Sequence, residues 1–279
     1  DTLQFSLNRK KISLKNVPFY GKLDEQTGYI KLSDFTPNAS AEVRNALVNL
    51  KAQGATQLVL DLRDNPGGLI NEAVEIVNLF IPKGKEVVKT IGKLQQVNYT
   101  YKTNKTPVDT KIGIIVLIND RSASAAEIVA GALQDHKRAV VMGSQTFGKG
   151  SVQTVRQLGP DTALKLTTAR YYTPSGRSIQ AKGIVPDLLI DDTAEGSPYA
   201  ALRTREADLE KHLNSGQGEE VKDPAREKAR DEALKRLEEE SKKPVADRKT
   251  PEYGSPEDFQ LQQALNRLKN QPVKVSKTL

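Results

Sequence analysis

A chain of 279 residues, 37% hydrophobic and 28% charged, holds one large folded domain, or one domain with a solvated appendage. It has no cysteine, which excludes thiol nucleophiles, disulfides and thiolate metal sites, and its two histidines, His136 and His212, form no spaced metal pair, so neither a metal nor a cofactor is implied. The net charge of +7 is not gathered into one basic block and aromatics total 5%, so nucleic acid is not an expected partner; no apolar run is long enough to span a bilayer.

Residues 28–33 read as a strand, and 40–53 as a helix with Val43, Leu47 and Leu50 at helical spacing and Gly54 as its stop. Residues 58–62 are a short apolar strand running into the turn Asp64-Asn-Pro-Gly-Gly68, and a helix over 70–80 follows. The run 111–118 is apolar nearly throughout, as a strand covered on both faces must be. An alanine-rich helix over 122–133 and a strand over 138–142 complete an alternation that predicts an α/β domain. Strands over 151–158 and 162–172 extend or flank it. From about residue 196 the chain turns polar, with a charged helix over 224–243, a linker over 245–255 and a helix over 256–270. The expected division is a core over 1–195 and a helical tail over 196–279.

Ser124 stands just after an apolar strand at the start of a helix, where unpaired N–H groups carry partial positive charge and can stabilise an oxyanion. The same residue also fits Ser124-Ala-Ala-Glu127, a capping box in which the serine merely caps. Lys149 lies between two glycines in Thr146-Phe-Gly-Lys-Gly150, where a tight bend can aim its amine inward and apolar neighbours can lower its pKa; it could equally be an ordinary loop lysine. The segment Gly143 to Lys149 begins like a phosphate-binding loop. Gly150 replaces the required Ser or Thr, however, and the residues after it read as strand. His136 is too far along its helix to serve Ser124 as a base.

Five blocks in order, DLRDNPGGL (61–69), SASAAEI (122–128), TFGKG (146–150), YTPSG (172–176) and GIVPD (183–187), resemble the C-terminal processing peptidases, or tail-specific proteases, over roughly residues 10–192. The resemblance implies a crotonase/ClpP-like core with flanking strands and acyl-enzyme chemistry. It assigns Ser124 as nucleophile, Lys149 as general base and Gln153 as the partner orienting the lysine. The oxyanion hole falls to the backbone N–H groups of Gly68 and Ala125. On a strand, positions 149 and 153 would share one face, and Gly68 would permit a close backbone approach.

The family carries a PDZ domain before these blocks. Residues 3–12 resemble the stretch that follows it, so that domain and any leader are expected to lie outside this sequence. Residues 205–213 resemble Gram-negative members whose terminal helices build oligomers. Expected partners are therefore protein or peptide substrates of the cell envelope, including cell-wall hydrolases, an adaptor protein and further copies of the chain, in the periplasm. The rival readings are a non-catalytic oligomeric scaffold and a crotonase-type enzyme acting on acyl-coenzyme A.

Overall fold

The computed structural model describes residues 14–197, 199–217 and 253–277, with the stretch 232–235 and positions 3, 5, 8 and 242 besides. Its first half builds a sheet. Strand β1 (Phe19–Lys22) turns into β2 (Thr27–Lys31), helix α1 (Ala39–Ala52) leads to β3 (Gln57–Asp61), and α2 (Ile70–Asn78) follows. After β4 (Glu86–Gly92) and β5 (Tyr99–Lys102), the chain returns through β6 (Gly113–Ile118), α3 (Ala125–Asp135) and β7 (Val140–Gly143). It then makes the long hairpin β8 (Ser151–Gly159) and β9 (Thr162–Tyr172), a short β10 (Leu188–Leu189), and helix α4 (Phe259–Leu268) near its end.

The main sheet has the order β1-β2-β3-β6-β7-β10, with β1 antiparallel to β2 and the remaining pairs parallel. A second, antiparallel sheet has the order β5-β4-β9-β8. Alternation along the central strands sends side chains to two cores. Leu58, Leu60, Leu62, Ile114, Val116 and Ile118 meet α1, α2 and α3, while Val59, Ile115 and Leu117 meet Leu261 and Ala264 of α4. The apolar run at 111–118 is thus covered on both faces, as its composition demands.

Two expectations are corrected here. The helix expected over 256–270 starts only at Phe259 and forms the lid on the second face of its own sheet. Nor do the described residues divide at 195. Ser276 Oγ accepts from the Asp191 N–H, Ser178 Oγ donates to the Ser215 carbonyl, and Arg170 holds Asn214, so the described part of the tail is stitched to the core. The physical reason is the sheet itself: an apolar parallel sheet with helices on one face needs a second cover. The charged helix expected over 224–243, except for residues 232–235, and most of the linker expected over 245–255 lie outside the described residues.

Candidate active site

Strands β3, β6 and β7 are parallel neighbours, so their C-terminal ends open on the same edge of the sheet. Three of the five sequence blocks begin there: loop 64–68 after β3, the turn 119–124 after β6, and loop 146–150 after β7. The crevice outside the carboxyl ends of parallel strands is where such sheets bind ligands. The block at 183–187 supports the third loop and the strand before it. Ile184 N–H donates to Thr146 Oγ1 at 2.6 Å, Thr146 N–H donates back to the Ile184 carbonyl at 3.2 Å, and Asp187 accepts from Val141 N–H at 2.7 Å.

Ser124 occupies the position before α3 with φ 54° and ψ −112°. A positive φ is unfavourable for a residue with a side chain, and strain of this kind costs on the order of 1–3 kcal/mol. Ser124 and Glu127 pair as a capping box, in which the Glu127 carboxylate accepts from Ser124 N–H at 2.7 Å. The capping role accounts for a serine here but not for its positive φ, since a cap residue ordinarily sits in the extended region. Two residues earlier, Ser122 is a structural serine: fully buried, it donates to the Leu62 carbonyl at 2.8 Å and accepts from Asn119 N–H at 3.0 Å.

Glu127 joins the loops. Its carboxylate is fully buried and accepts from Ser124 N–H at 2.7 Å, Lys149 N–H at 2.9 Å, Gly148 N–H at 2.8 Å and the Thr146 hydroxyl at 2.5 Å. One oxygen, Oε2, takes both the Ser124 and the Lys149 amide, so the two backbones lie side by side although 25 positions separate them. Burial pushes the carboxyl up to about 7, against the pull of its four hydrogen bonds.

Loop 64–68 closes against Ser124 through its glycines. At Gly67, φ is 96°, and an added Cβ would meet the Ala123 carbonyl at 2.6 Å and both Ala125 N and Ser124 Cβ at 2.8 Å. Gly68 approaches Phe35 instead, where a Cβ would meet the carbonyl oxygen at 2.5 Å. The close backbone approach expected of Gly68 is thus made to Phe35, while Gly67 is the glycine that packs against Ser124. Ala125 is the first residue of α3, and its N–H has no carbonyl four residues back within the helix. The N–H of Gly68 has no partner among the described residues, since Leu69 N–H and Gly67 O take the bonds with Phe35.

Lys149 and Gln153 depart from expectation. The Lys149 side chain is exposed and makes no hydrogen bond to Ser124 among the described residues; the cleft around it is lined by carboxylates and cations as much as by apolar groups, so it is not desolvated. Strand β8 starts only at Ser151, and a bulge between Val152 and Gln153 shifts the alternation. Simple period-2 reasoning therefore does not put Gln153 on the face of Lys149. Gln153 is itself exposed and holds no bond to the lysine among the described residues. His136 caps the far end of α3, with Nε2 2.7 Å from the Glu86 carbonyl, and has no part in the site.

The cleft measures about 830 Å³, and Asp64, Ala123, Lys149, Asp192, Tyr199 and Tyr253 are among the residues that line it. Behind it, Arg63 is buried completely between Asp61 and Asp258. Burial works against both charges. The guanidinium nevertheless holds the Asp61 carboxyl at about 2, and the two carboxylates keep Arg63 protonated. Glu127 was legible only as a capping partner, Gly67 only as a turn residue. Arg63 was legible only as a member of the 61–69 block, and Tyr253 carried no sequence signal, since the residues they meet across the site lie 134 to 197 positions away.

A family model, Peptidase family S41, matches residues 26–190. The chain is 44% identical over 193 residues to a carboxy-terminal-processing protease of Bartonella bacilliformis, a match covering 68% of this chain and 44% of that protein. It is 41% identical over 186 residues to a CtpA-like serine protease of Staphylococcus aureus, covering 66% and 37%. The matches thus span less than half the length of these relatives. Among solved structures, the photosystem II D1 C-terminal processing protease superposes with a TM-score of 0.59 at 32% identity, over 67% of this chain and 51% of that one. An S41 protein from Bacteroides fragilis gives 0.56 at 18% identity, over 82% and 59%, and speaks to the fold alone.

Proposed function

Since the chain belongs to peptidase family S41, we propose that it is the catalytic core of a serine endopeptidase in which Ser124 is the nucleophile and Lys149 the general base. The observation that carries this reading is Ser124 itself: a strained residue at a strand-to-helix turn, whose φ of 54° is not the extended conformation of an ordinary cap. In the forward step Ser124 Oγ attacks the scissile carbonyl carbon while its proton passes to the neutral Lys149 amine. The oxyanion so formed is held by the N–H groups of Gly68 and Ala125. Collapse breaks the C–N bond, the leaving amine takes the proton from Lys149, and an acyl-enzyme remains. Water, activated by the same amine, then hydrolyses the ester.

For proton transfer the Lys149 amine has to leave the open cleft and reach Oγ; the peptide bound in the cleft displaces water there, and Gln153 steadies the amine. Glu127 limits the movement to the side chain, because the Lys149 backbone is already tied beside Ser124. The same reading takes the main sheet and its helices as a crotonase/ClpP-related core. The substrates are proteins of the cell envelope cut at or near their C-termini, in the periplasm, with an adaptor and further copies of the chain as partners. The C-terminal cut has the names of the carboxy-terminal-processing relatives in its support; the envelope, adaptor and assembly extend the resemblance read in the sequence.

The test is Ser124→Ala in the full-length protein. Cleavage of an unstructured protein such as casein should fall to background while the far-UV circular dichroism and melting temperature stay near wild type. A serine that only capped α3 predicts the reverse, a loss of about 1 kcal/mol of stability with activity kept. Casein cleavage by Ser124→Ala at the wild-type rate would end the assignment.

A further inference from the structure

The segment 253–260 lies beyond the stretch that matches the family model, residues 26–190, and yet it reaches the cleft. Asp258 receives two hydrogen bonds from the Arg63 guanidinium, at 2.9 and 2.7 Å, and Gln260 Oε1 receives a third at 2.9 Å. The Tyr253 ring stacks over the same guanidinium, its centroid 4.0 Å from the central carbon. Arg63 immediately precedes loop 64–68. The tyrosine hydroxyl also accepts from Asn119 Nδ2 at 3.3 Å. Asn119 in turn binds Asp64 twice, donating to its carboxylate at 2.8 Å and accepting its N–H at 2.9 Å. It further accepts from Arg121 N–H at 3.1 Å, at the head of the turn that leads to Ser124.

The segment thus touches the bases of the two loops that carry Gly68 and Ser124. The loops also meet directly, Ala123 N–H donating to the Asn65 carbonyl at 2.9 Å, and the segment braces that joint from the far side of Arg63 and Asn119. We propose that Tyr253 and Asp258 are positioning residues for the oxyanion loop: a clasp from the C-terminal segment that sets the separation between the Gly68 N–H and Ser124 Oγ. The proposal rests on the serine peptidase reading above. Donors that stabilise an oxyanion must lie within hydrogen-bond distance of where the charge forms, and misplacement by about 1 Å costs on the order of 100-fold in rate. Such misplacement affects the transition state and leaves ground-state binding of the peptide largely alone.

The experiment uses full-length protein carrying Tyr253→Phe, Tyr253→Leu or Asp258→Asn, with wild type and Ser124→Ala alongside. The tyrosine is only half-buried, so its variants keep the fold even where Asp258→Asn does not. Peptide cleavage should show kcat down roughly three- to tenfold for Tyr253→Phe and about 10- to 100-fold for Tyr253→Leu, with KM within about twofold. A peptide aldehyde, which forms a tetrahedral oxyanion on Ser124, should lose affinity in parallel with kcat, whereas a product peptide should not.

Wild-type kcat in both tyrosine variants overturns the clasp. So does a loss shared equally by kcat, KM, aldehyde affinity and melting temperature, which would mark a merely structural contact. Ser124→Ala separates the two claims. If it is inactive and the tyrosine variants are normal, the peptidase reading stands and the clasp falls; if it stays active, the peptidase reading falls first.

Discussion

At the scale of single residues, the site depends on groups whose protonation is set by what surrounds them. The proposed mechanism asks Lys149 to accept a proton from Ser124. Arginine cannot, because its guanidinium stays protonated at any working pH. Lys149→Arg should therefore lose proteolysis almost as completely as Lys149→Ala, by at least about 100-fold in kcat/KM; substantial activity in the arginine variant would reduce the lysine to a source of charge. Glu127 makes the opposite case, a carboxyl that burial biases toward its neutral form. Its folded pKa of about 7 lies above the unfolded value of 4.5, so the folded state binds the proton more tightly. The resulting stabilisation is complete below pH 4.5 and is lost as pH rises through 7. The size is on the order of 3 kcal/mol at full ionisation. Urea midpoints should fall for wild type between pH 5 and 8, and this part of the slope should vanish in Glu127→Gln. An unchanged slope would mean that Glu127 is not the group titrating. Ser124, Lys149 and the glycine pair were all readable as motifs; what no motif could give is the single oxygen shared by two amides 25 positions apart.

At the scale of elements, the sequence was most informative where hydrophobic period is strong. The strands at 58–62 and 111–118 and the helices at 40–53 and 70–80 are found within a residue or two of their expected places. Strands β1, β4, β5 and β10 were not foreseen. They are short or mixed in polarity, and sheet pairing rather than local preference makes them strands. The larger surprise is α4. Its apolar stripe was plain, but periodicity says that a face is buried and not against what. The two-sided burial of β6 held the clue, since α1 to α3 supply only one cover. It follows that removing the chain after Ser255 strips Tyr29, Val59, Ile115, Leu117 and Met142 of their lid. It also takes Asp258 from Arg63, which then keeps only Asp61 of its two carboxylate partners. The truncated protein should be insoluble or melt at least about 10 °C lower by differential scanning calorimetry. A soluble product with unchanged melting and a smaller oligomer by light scattering would restore the helix to an assembly role.

At the scale of the whole molecule, two regions contrast. The parallel sheet is closed on both faces, whereas the β8–β9 hairpin extends past its pairing with β4 at Ala169–Tyr172 and leaves Val155, Leu158, Leu164 and Leu166 exposed. The three loops of the candidate site arise from the closed region, on strands too well packed to shift; the arm leaves directly from loop 146–150. The clasp between Arg63 and Asp258 adds a dimension of time, because it joins positions 195 residues apart. Chains emerge from the ribosome at about 5–20 residues per second. Loops 64–68, 119–124 and 146–150 are all made several seconds before Tyr253 and Asp258 exist. During that interval the oxyanion loop has no clasp and the sheet no second lid. On the reading proposed above, a chain not yet extended through residue 258 has its three loops without their clasp and is poorly equipped to cut the proteins around it.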